Sequence, residues 1–167
     1  MNINEPAPDF ELPDLQGVPH KLGDTRGRIA IINFWSAECP HSGRTDQSLV
    51  CLLEKWSDEV VMLSIASNRN EPLQMIAEAA QARRAPTVLL DSEHRVADLY
   101  AAVTTPHVYV LDHEGILRYR GAVDNISFRH RKATRFFLKE AVEALLDEKI
   151  PELQETSPYG CSIVREI

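Results

Sequence analysis

Ile29-Ala30-Ile31-Ile32-Asn33-Phe34-Trp35-Ser36-Ala37-Glu38-Cys39-Pro40 is the stretch that decides how this chain folds. From Ile29 to Trp35 it is nearly all apolar and rich in β-branched and aromatic side chains. A run so short and so uniformly apolar fits a strand buried on both faces of a sheet. Ser36 to Glu38 read as a turn. Pro40 suits the first position of a helix, where its missing N–H costs no hydrogen bond. Beyond it Leu49, Leu52, Leu53 and Trp56 recur at i, i+3, i+4 and i+7, which is one apolar helical face. Cys39 therefore falls where a buried strand hands over to a helix.

The same grammar continues outward. Val60 to Ala66 reads as a second buried strand. Pro72 opens a helix with Leu73, Ile76, Ala77 and Ala80 along one side. Thr87 to Leu90 reads as a short strand and Arg95 to Ala101 as a short helix. His107–Leu111 and Ile116–Arg120 read as a hairpin joined by Asp112-His113-Glu114-Gly115, with Gly115 free to take positive φ. A last helix is expected from Thr134 to Lys149, stopped by Pro151. Upstream, Pro6, Pro8, Pro13, Gly17, Pro19, Gly23 and Gly27 mark a loop-rich lead-in with a short hairpin around Gln16-Gly17. Alternating strands and helices followed by a hairpin imply an α/β fold with a central mixed sheet and helices on both faces. The 167 residues form one expected domain, 1–167, with an irregular tail at 152–167.

Composition narrows the function classes. The chain is 44% apolar and 26% charged, with a net charge of −7. That balance opposes general nucleic-acid binding, which needs an excess of Lys and Arg. No apolar run is long enough for a bilayer span, and no membrane association is expected. Met1-Asn2-Ile3-Asn4-Glu5-Pro6 lacks the basic start and apolar stretch of a leader, so the chain reads as cytoplasmic, although an exported form already relieved of its leader would read the same. The three cysteines, Cys39, Cys51 and Cys161, are too widely spaced for a disulfide framework or a zinc cluster. No cofactor and no resident metal are expected.

Cys39 stands out on position alone. A helix start exposes unpaired N–H groups and about half a positive charge, both of which stabilise a thiolate. His41, when protonated, adds to that charge. Trp35 should leave the strand end near the same surface. The competing reading, a buried inert cysteine, is opposed by the strand-to-helix junction and the proline after it.

Phe34-Trp35-Ser36-Ala37-Glu38-Cys39-Pro40-His41-Ser42 resembles the Phe-Trp-x-x-x-Cys-Pro-x-Cys active site of thioredoxin-like redoxins. Ala7-Pro8-Asp9-Phe10, with Leu12, Asp14 and Gly17, is similar to the lead-in of the alkyl hydroperoxide reductase/thiol-specific antioxidant (peroxiredoxin-like) superfamily. Thr105-Pro106 resembles its cis-proline loop, and Leu111-Asp112 with Gly115 the hairpin that follows. Gly121-Ala122-Val123-Asp124-Asn125 and Gly160-Cys161-Ser162-Ile163 resemble a subgroup of bacterial redoxins. The resemblance implies a thioredoxin fold, Cys39 as attacking cysteine and a cis Pro106 packed beside it. It also implies a Thr105 backbone able to pair with a substrate strand. The implied partners are a protein or small-molecule disulfide, or a peroxide, with an external thiol as reductant.

One departure matters most. Ser42 stands where the second active-site cysteine belongs, and a hydroxyl cannot release a mixed disulfide. Cys51 is twelve residues from Cys39 along the same helix. At ~1.5 Å per residue it lies ~18 Å away, beyond the ~7 Å that a disulfide tolerates between Cα atoms. It is expected to pack as a small hydrophobe. Cys161, in the tail, is the candidate resolver, against the reading of a free terminal cysteine.

Several functions remain open on sequence. The first is thiol–disulfide exchange at Cys39, closed by Cys161 or by an external thiol. The second is a peroxidase: Ser36 takes the place of the Thr in Pro-x-x-x-Thr-x-x-Cys, although Ile32 occupies the Pro position, and an arginine would help lower the Cys39 pKa, with Arg118 and Arg120 on a candidate strand that nothing in the sequence places at the site. The third is a metal site formed by Cys39, His41 and His107. The fourth is a binding module that kept the fold without turnover. Arg129-His130-Arg131-Lys132 reads as a solvated basic run before the last helix.

Overall fold

The computed structural model describes residues 1–166. Two short strands, β1 (Glu11–Pro13) and β2 (Pro19–Lys21), pair antiparallel across the expected turn, where Gly17 takes a φ of +83°. A 3-10 turn at Leu22–Thr25 leads to β3 (Ile29–Trp35), α1 (Pro40–Trp56), β4 (Val60–Ala66), α2 (Leu73–Arg83), β5 (Val88–Leu90) and α3 (Arg95–Leu99). Then come β6 (Thr104–Thr105), β7 (His107–Leu111), β8 (Leu117–Gly121), α4 (Phe137–Leu146) and β9 (Cys161–Ser162).

The main sheet has the order β5-β4-β3-β7-β8. β3, β4 and β5 run parallel, while β7 runs antiparallel to both β3 and β8. β3 is thus paired along both edges, and all seven of its residues are buried. This is why its sequence is a continuous apolar run and not an alternation.

The two faces of β3 serve different layers. Ile29 and Ile31 meet Leu49 and Trp56 of α1 and Leu138, Val142 and Leu145 of α4. Ala30, Ile32 and Phe34 meet Val96 and Ala97 of α3 together with Phe10, Leu12 and Leu22 of the lead-in. α2 packs Ile76 and Ala80 against Trp35 and Ala66, on the α1 side. Helices cover both faces as expected, with α3 helped by the lead-in to close its own. Among the described residues no helix is long and apolar enough to cross a membrane.

Four expectations are corrected. The last helix starts at Phe137, not Thr134, because the N–H groups of Thr134 and Arg135 donate to the Asn125 side chain. It ends at Leu146, well before Pro151: Glu148 takes a φ of +59° and the Lys149 N–H caps the Ala144 carbonyl at 2.8 Å. The tail is not wholly irregular, since β9 pairs with β6. Cys51 is exposed. It sits two residues beyond Leu49, about 200° around the helix, which turns it away from the apolar stripe.

Candidate active site

The end of β3 and the start of α1 place Cys39 beyond the C-terminal end of the central strand. Cys39 is the N-cap residue of α1, and Pro40 opens the first turn. The turn before it is held from two sides. Glu71 satisfies its donors: the Ser36 hydroxyl donates to one carboxylate oxygen (2.5 Å) and the Ala37 N–H to the other (2.8 Å). Arg83 satisfies its acceptors, donating to the carbonyls of Ser36 (2.9 Å) and Ala37. The Cys39 N–H donates to Ser36 Oγ (3.1 Å), and the Ser36 N–H donates to Ser42 Oγ (3.2 Å). Ser42 therefore serves as a buried hydrogen-bond acceptor for the turn.

The peptide bond between Thr105 and Pro106 is cis, as the resemblance implies. β6, just before Pro106, pairs antiparallel with β9, matching Thr105 with Cys161. The tail is tied further by Ile163 N–H to the Val103 carbonyl (3.1 Å), Val164 N–H to Asn68 Oδ1 (2.8 Å) and Arg69 N–H to the Val164 carbonyl (2.9 Å). Asn68 in turn donates to Glu71 (2.9 Å), so one carboxylate links the Cys39 turn to the tail.

This folding-back brings the two sulfurs to 2.8 Å, and Cys39 Sγ lies 3.1 Å from the Thr105 carbonyl oxygen. Cys39 is 2% exposed, and Cys161 is half-buried. Burial pushes the Cys39 thiol up. Hydrogen bonds to its sulfur from the Cys161 and Thr105 side chains and from the Ser42 and Cys161 backbones more than offset that, and its pKa lies below the ordinary thiol value. Cys161 is pushed up to about 12 by burial, by its hydrogen bond to Cys39 and by the Cys39 charge. Of the two thiols Cys39 is therefore the more readily ionised, with the more basic Cys161 beside it.

Trp35 is fully buried, contrary to the surface position expected for it. Its Nε1–H donates to Asp46 Oδ2 at 2.7 Å, and the Arg83 guanidinium stacks over its ring at 5.3 Å. Burial raises the Asp46 pKa to about 6, against the lowering effects of Trp35 and Arg83. An unfolded Asp titrates near ~3.9, so the folded state binds the extra proton between pH ~4 and ~6. Stability from this group is full below that window and is lost as pH rises through it. At about 1.4 kcal/mol per pH unit, the loss is about 3 kcal/mol. Asp46→Asn has no such titration. Urea unfolding at pH 4 and pH 7.5 is expected to show wild type losing about 3 kcal/mol relative to the variant between the two; a pH-independent difference would refute it.

The structure thus brings Cys39, Cys161, Thr105, Pro106, Ser36 and Ser42 together and sets Trp35 beneath them. It does not do so for the arginines and histidines of the alternative readings. Arg118 pairs with Asp112 (2.7 Å) and Arg120 with Glu155 (3.0 Å), on the far hairpin strand. The His41 ring packs edge-on against Tyr159 at 5.1 Å. His107 is buried and receives the Val103 N–H (3.4 Å); burial, with the charge of Arg120, lowers its pKa to about 4. Among the described residues no group of three His, Cys, Asp or Glu side chains is placed to hold a metal. Sequence reading missed Glu71, Arg83, Asn68 and Asp46. The only trace was the placement of Glu71 next to Pro72, at the start of a helix.

A mixed five-stranded sheet whose first long helix starts beside a cis-proline loop is the thioredoxin fold. The thioredoxin domain of a thiol-disulfide oxidoreductase from Bacteroides vulgatus matches it with a TM-score of 0.64 at 21% identity, covering 72% of this chain and 88% of that one. Within that fold, the chain belongs to the AhpC/TSA family, which it matches over residues 3–120. An uncharacterized conserved protein from Geobacillus kaustophilus matches with a TM-score of 0.88 at 26% identity, over 99% of this chain and 93% of its own, so the likeness extends through the tail. The thiol:disulfide interchange protein DsbE of Allochromatium vinosum is 25% identical over 128 residues, 73% of this chain and 68% of its own. The chain spans about two thirds of the length of the curated relatives it matches first.

Proposed function

We propose that this chain is a thiol–disulfide oxidoreductase whose working pair is Cys39 and Cys161. The observation that carries the reading is the 2.8 Å approach of the two sulfurs, of which Cys39 is the more readily ionised. The kinship with proteins named for thiol-disulfide exchange supports it.

The Cys39 thiolate attacks one sulfur of a partner disulfide. A Cys39–partner S–S bond forms, the partner's S–S bond breaks, and the expelled thiolate takes a proton from solvent. Cys39 is then uncharged, which removes two of the three causes holding Cys161 high, leaving burial. Cys161 gives its proton to solvent and attacks Cys39 Sγ. The Cys39–Cys161 disulfide forms and the second partner thiolate leaves. The partner gains two electrons, the chain loses two, and an external dithiol returns them. Ser42 accepts a hydrogen bond from the turn and lends its N–H to the Cys39 thiolate. Pro106 and Thr105 wall the site, and Trp35 supports the turn from below.

A peroxidase is the weaker reading on this geometry. The Ser36 hydroxyl donates to Glu71 and accepts from the Cys39 N–H, so its proton is already spoken for. Arg83 faces carbonyl oxygens. The test is dithiol-driven reduction of a small aromatic disulfide beside consumption of hydrogen peroxide, with wild type and Cys39→Ser. Disulfide turnover lost to the background rate in Cys39→Ser, with little peroxide consumed by either protein, is expected. Unchanged turnover in the variant would refute the proposal.

A further inference from the structure

The basic run ahead of the last helix has no part in the chemistry above, yet it stands beside it. Residues 125–135 form a loop closed at its neck by Asn125, whose N–H donates to the Arg135 carbonyl (3.1 Å) and whose side chain receives the Thr134 and Arg135 N–H groups (3.0 and 3.2 Å). The neck is tied to α1 by Arg44 and Asp124 at 2.6 Å. At the tip, Ser127 Oγ accepts the N–H groups of Arg129 and His130, both at 3.3 Å, and the Ser127 N–H donates to the His130 carbonyl (2.8 Å). Such a compact, self-bonded surface loop holds its side chains in a defined place.

Two features of the tip point to a partner. The first is aromatic. Phe128 is 82% exposed, and its ring meets Tyr159 edge-on at 5.6 Å, while Tyr159 also meets His41 at 5.1 Å. Tyr159 is two residues before Cys161, and His41 is two residues after Cys39, so the two chain segments that carry the sulfurs also carry these rings. The second is charge. Arg129, His130, Arg131 and Lys132 are all exposed, and no Asp or Glu occurs from Asn125 to Lys139. Among the described residues Arg129, Arg131 and Lys132 are in no ion pair. An unneutralised cationic patch on a chain of net charge −7 is a local field of opposite sign to the rest of the molecule.

We propose that Phe128-Arg129-His130-Arg131-Lys132 is a docking ledge for an acidic polypeptide segment that carries the reacting disulfide. The proposal rests on the oxidoreductase reading above and names its substrate class. The Thr105 edge, where an incoming strand would pair, is filled by β9, so recognition must come from another surface. The ledge is an exposed surface joined through Tyr159 and His41 to the two segments that carry the sulfurs. A partner touching the sulfurs and the basic tip together has to cross two ring-to-ring steps, a span for an extended peptide and too long for a single small thiol. Carboxylates on that peptide meet the cations, and its apolar side chains meet Phe128.

The test compares two synthetic peptides with the same disulfide loop, flanked by Glu in one and Lys in the other. Hydroxyethyl disulfide, small and neutral, is the reference. Wild type is expected to prefer the Glu peptide in kcat/KM by about 10-fold or more at low salt, the preference shrinking toward unity by about 1 M salt. Arg129→Gln/Arg131→Gln/Lys132→Gln is expected to lose the preference while reducing hydroxyethyl disulfide at the wild-type rate. Binding is read separately by fluorescence anisotropy of a labelled Glu peptide with both cysteines replaced by serine, so the docking claim stands or falls even in a protein that turns nothing over. Anisotropy should show salt-sensitive binding weakened at least ~10-fold in the triple variant. Equal rates with both peptides and no binding would overturn the proposal while leaving hydroxyethyl disulfide reduction intact. So would ledge-dependent binding to phosphatidylserine vesicles with no effect on either peptide. Failure to reduce any disulfide would instead defeat the oxidoreductase reading.

Discussion

Cys161→Ser protein given a disulfide substrate is expected to stall with the substrate half bonded to Cys39. The first attack needs only Cys39, whose thiolate keeps the backbone hydrogen bonds that stabilise it. The second attack needs a sulfur already in place, and the variant has none. With Sγ atoms 2.8 Å apart in the wild type, internal closure competes easily with any external thiol. An effective molarity of only ~1 M, far below the ~10⁵ M and more reached by well-oriented groups, already outruns a 1 mM external thiol by about 10³-fold. Multiple turnover should therefore fall by about that factor at millimolar reductant and recover in proportion to added thiol. Intact-mass spectrometry should find one substrate half per chain, and peptide mapping should place it on Cys39. Substrate bound at Cys51, or turnover equal to wild type, would remove Cys161 from the cycle.

The first step of this chemistry was legible in the sequence, while the second was legible only as far as naming Cys161 a candidate. The Ile29–Trp35 run, the turn and Pro40 fix a strand, a junction and a helix by local rules, and Cys39 sits inside them. The hairpin at 107–121 was legible for the same reason: Asp112 and Gly115 carry its turn chemistry within a few residues, with the Asp112 side chain accepting the N–H groups of Glu114 and Ile116. The position of Cys161 depends instead on a strand of two residues, too short for any periodicity, and on side chains 90 or more residues away in Asn68 and Glu71. Glu71 and Arg83 look like ordinary polar residues around a helix. Only the folded turn, with donors facing one and acceptors facing the other, gives them a task. Asn125 shortened the last helix in the same way, by offering its side chain to N–H groups that the helical pattern had claimed.

Gly160→Ala is expected to separate the two thiols while keeping both. Gly160 lies directly against β6: a Cβ there would stand 2.1 Å from the Thr105 carbonyl oxygen and 2.7 Å from its carbon. Both are backbone atoms, fixed by the neighbouring Pro106 and by β7, and cannot swing aside as a flexible side chain would. Ordinary contact begins at 3.4 Å, so the tail has to retreat by more than 1 Å. The retreat falls on the Thr105–Cys161 pairing, the one ladder that delivers Cys161 to Cys39. A misplacement of about 1 Å can cost a reaction of oriented groups about 10²-fold. Stopped-flow closure of the Cys39–Cys161 disulfide from the mixed disulfide should slow by about that much. Alkylation of Cys39 by iodoacetamide should speed up, because the tail that leaves it 2% exposed has moved away. Ser162→Ala, one of the two β9 residues and exposed, is the control and should behave as wild type. Closure at the wild-type rate in Gly160→Ala would mean that the tail reaches Cys39 without its pairing to β6, and the resolving step would then need another source of orientation.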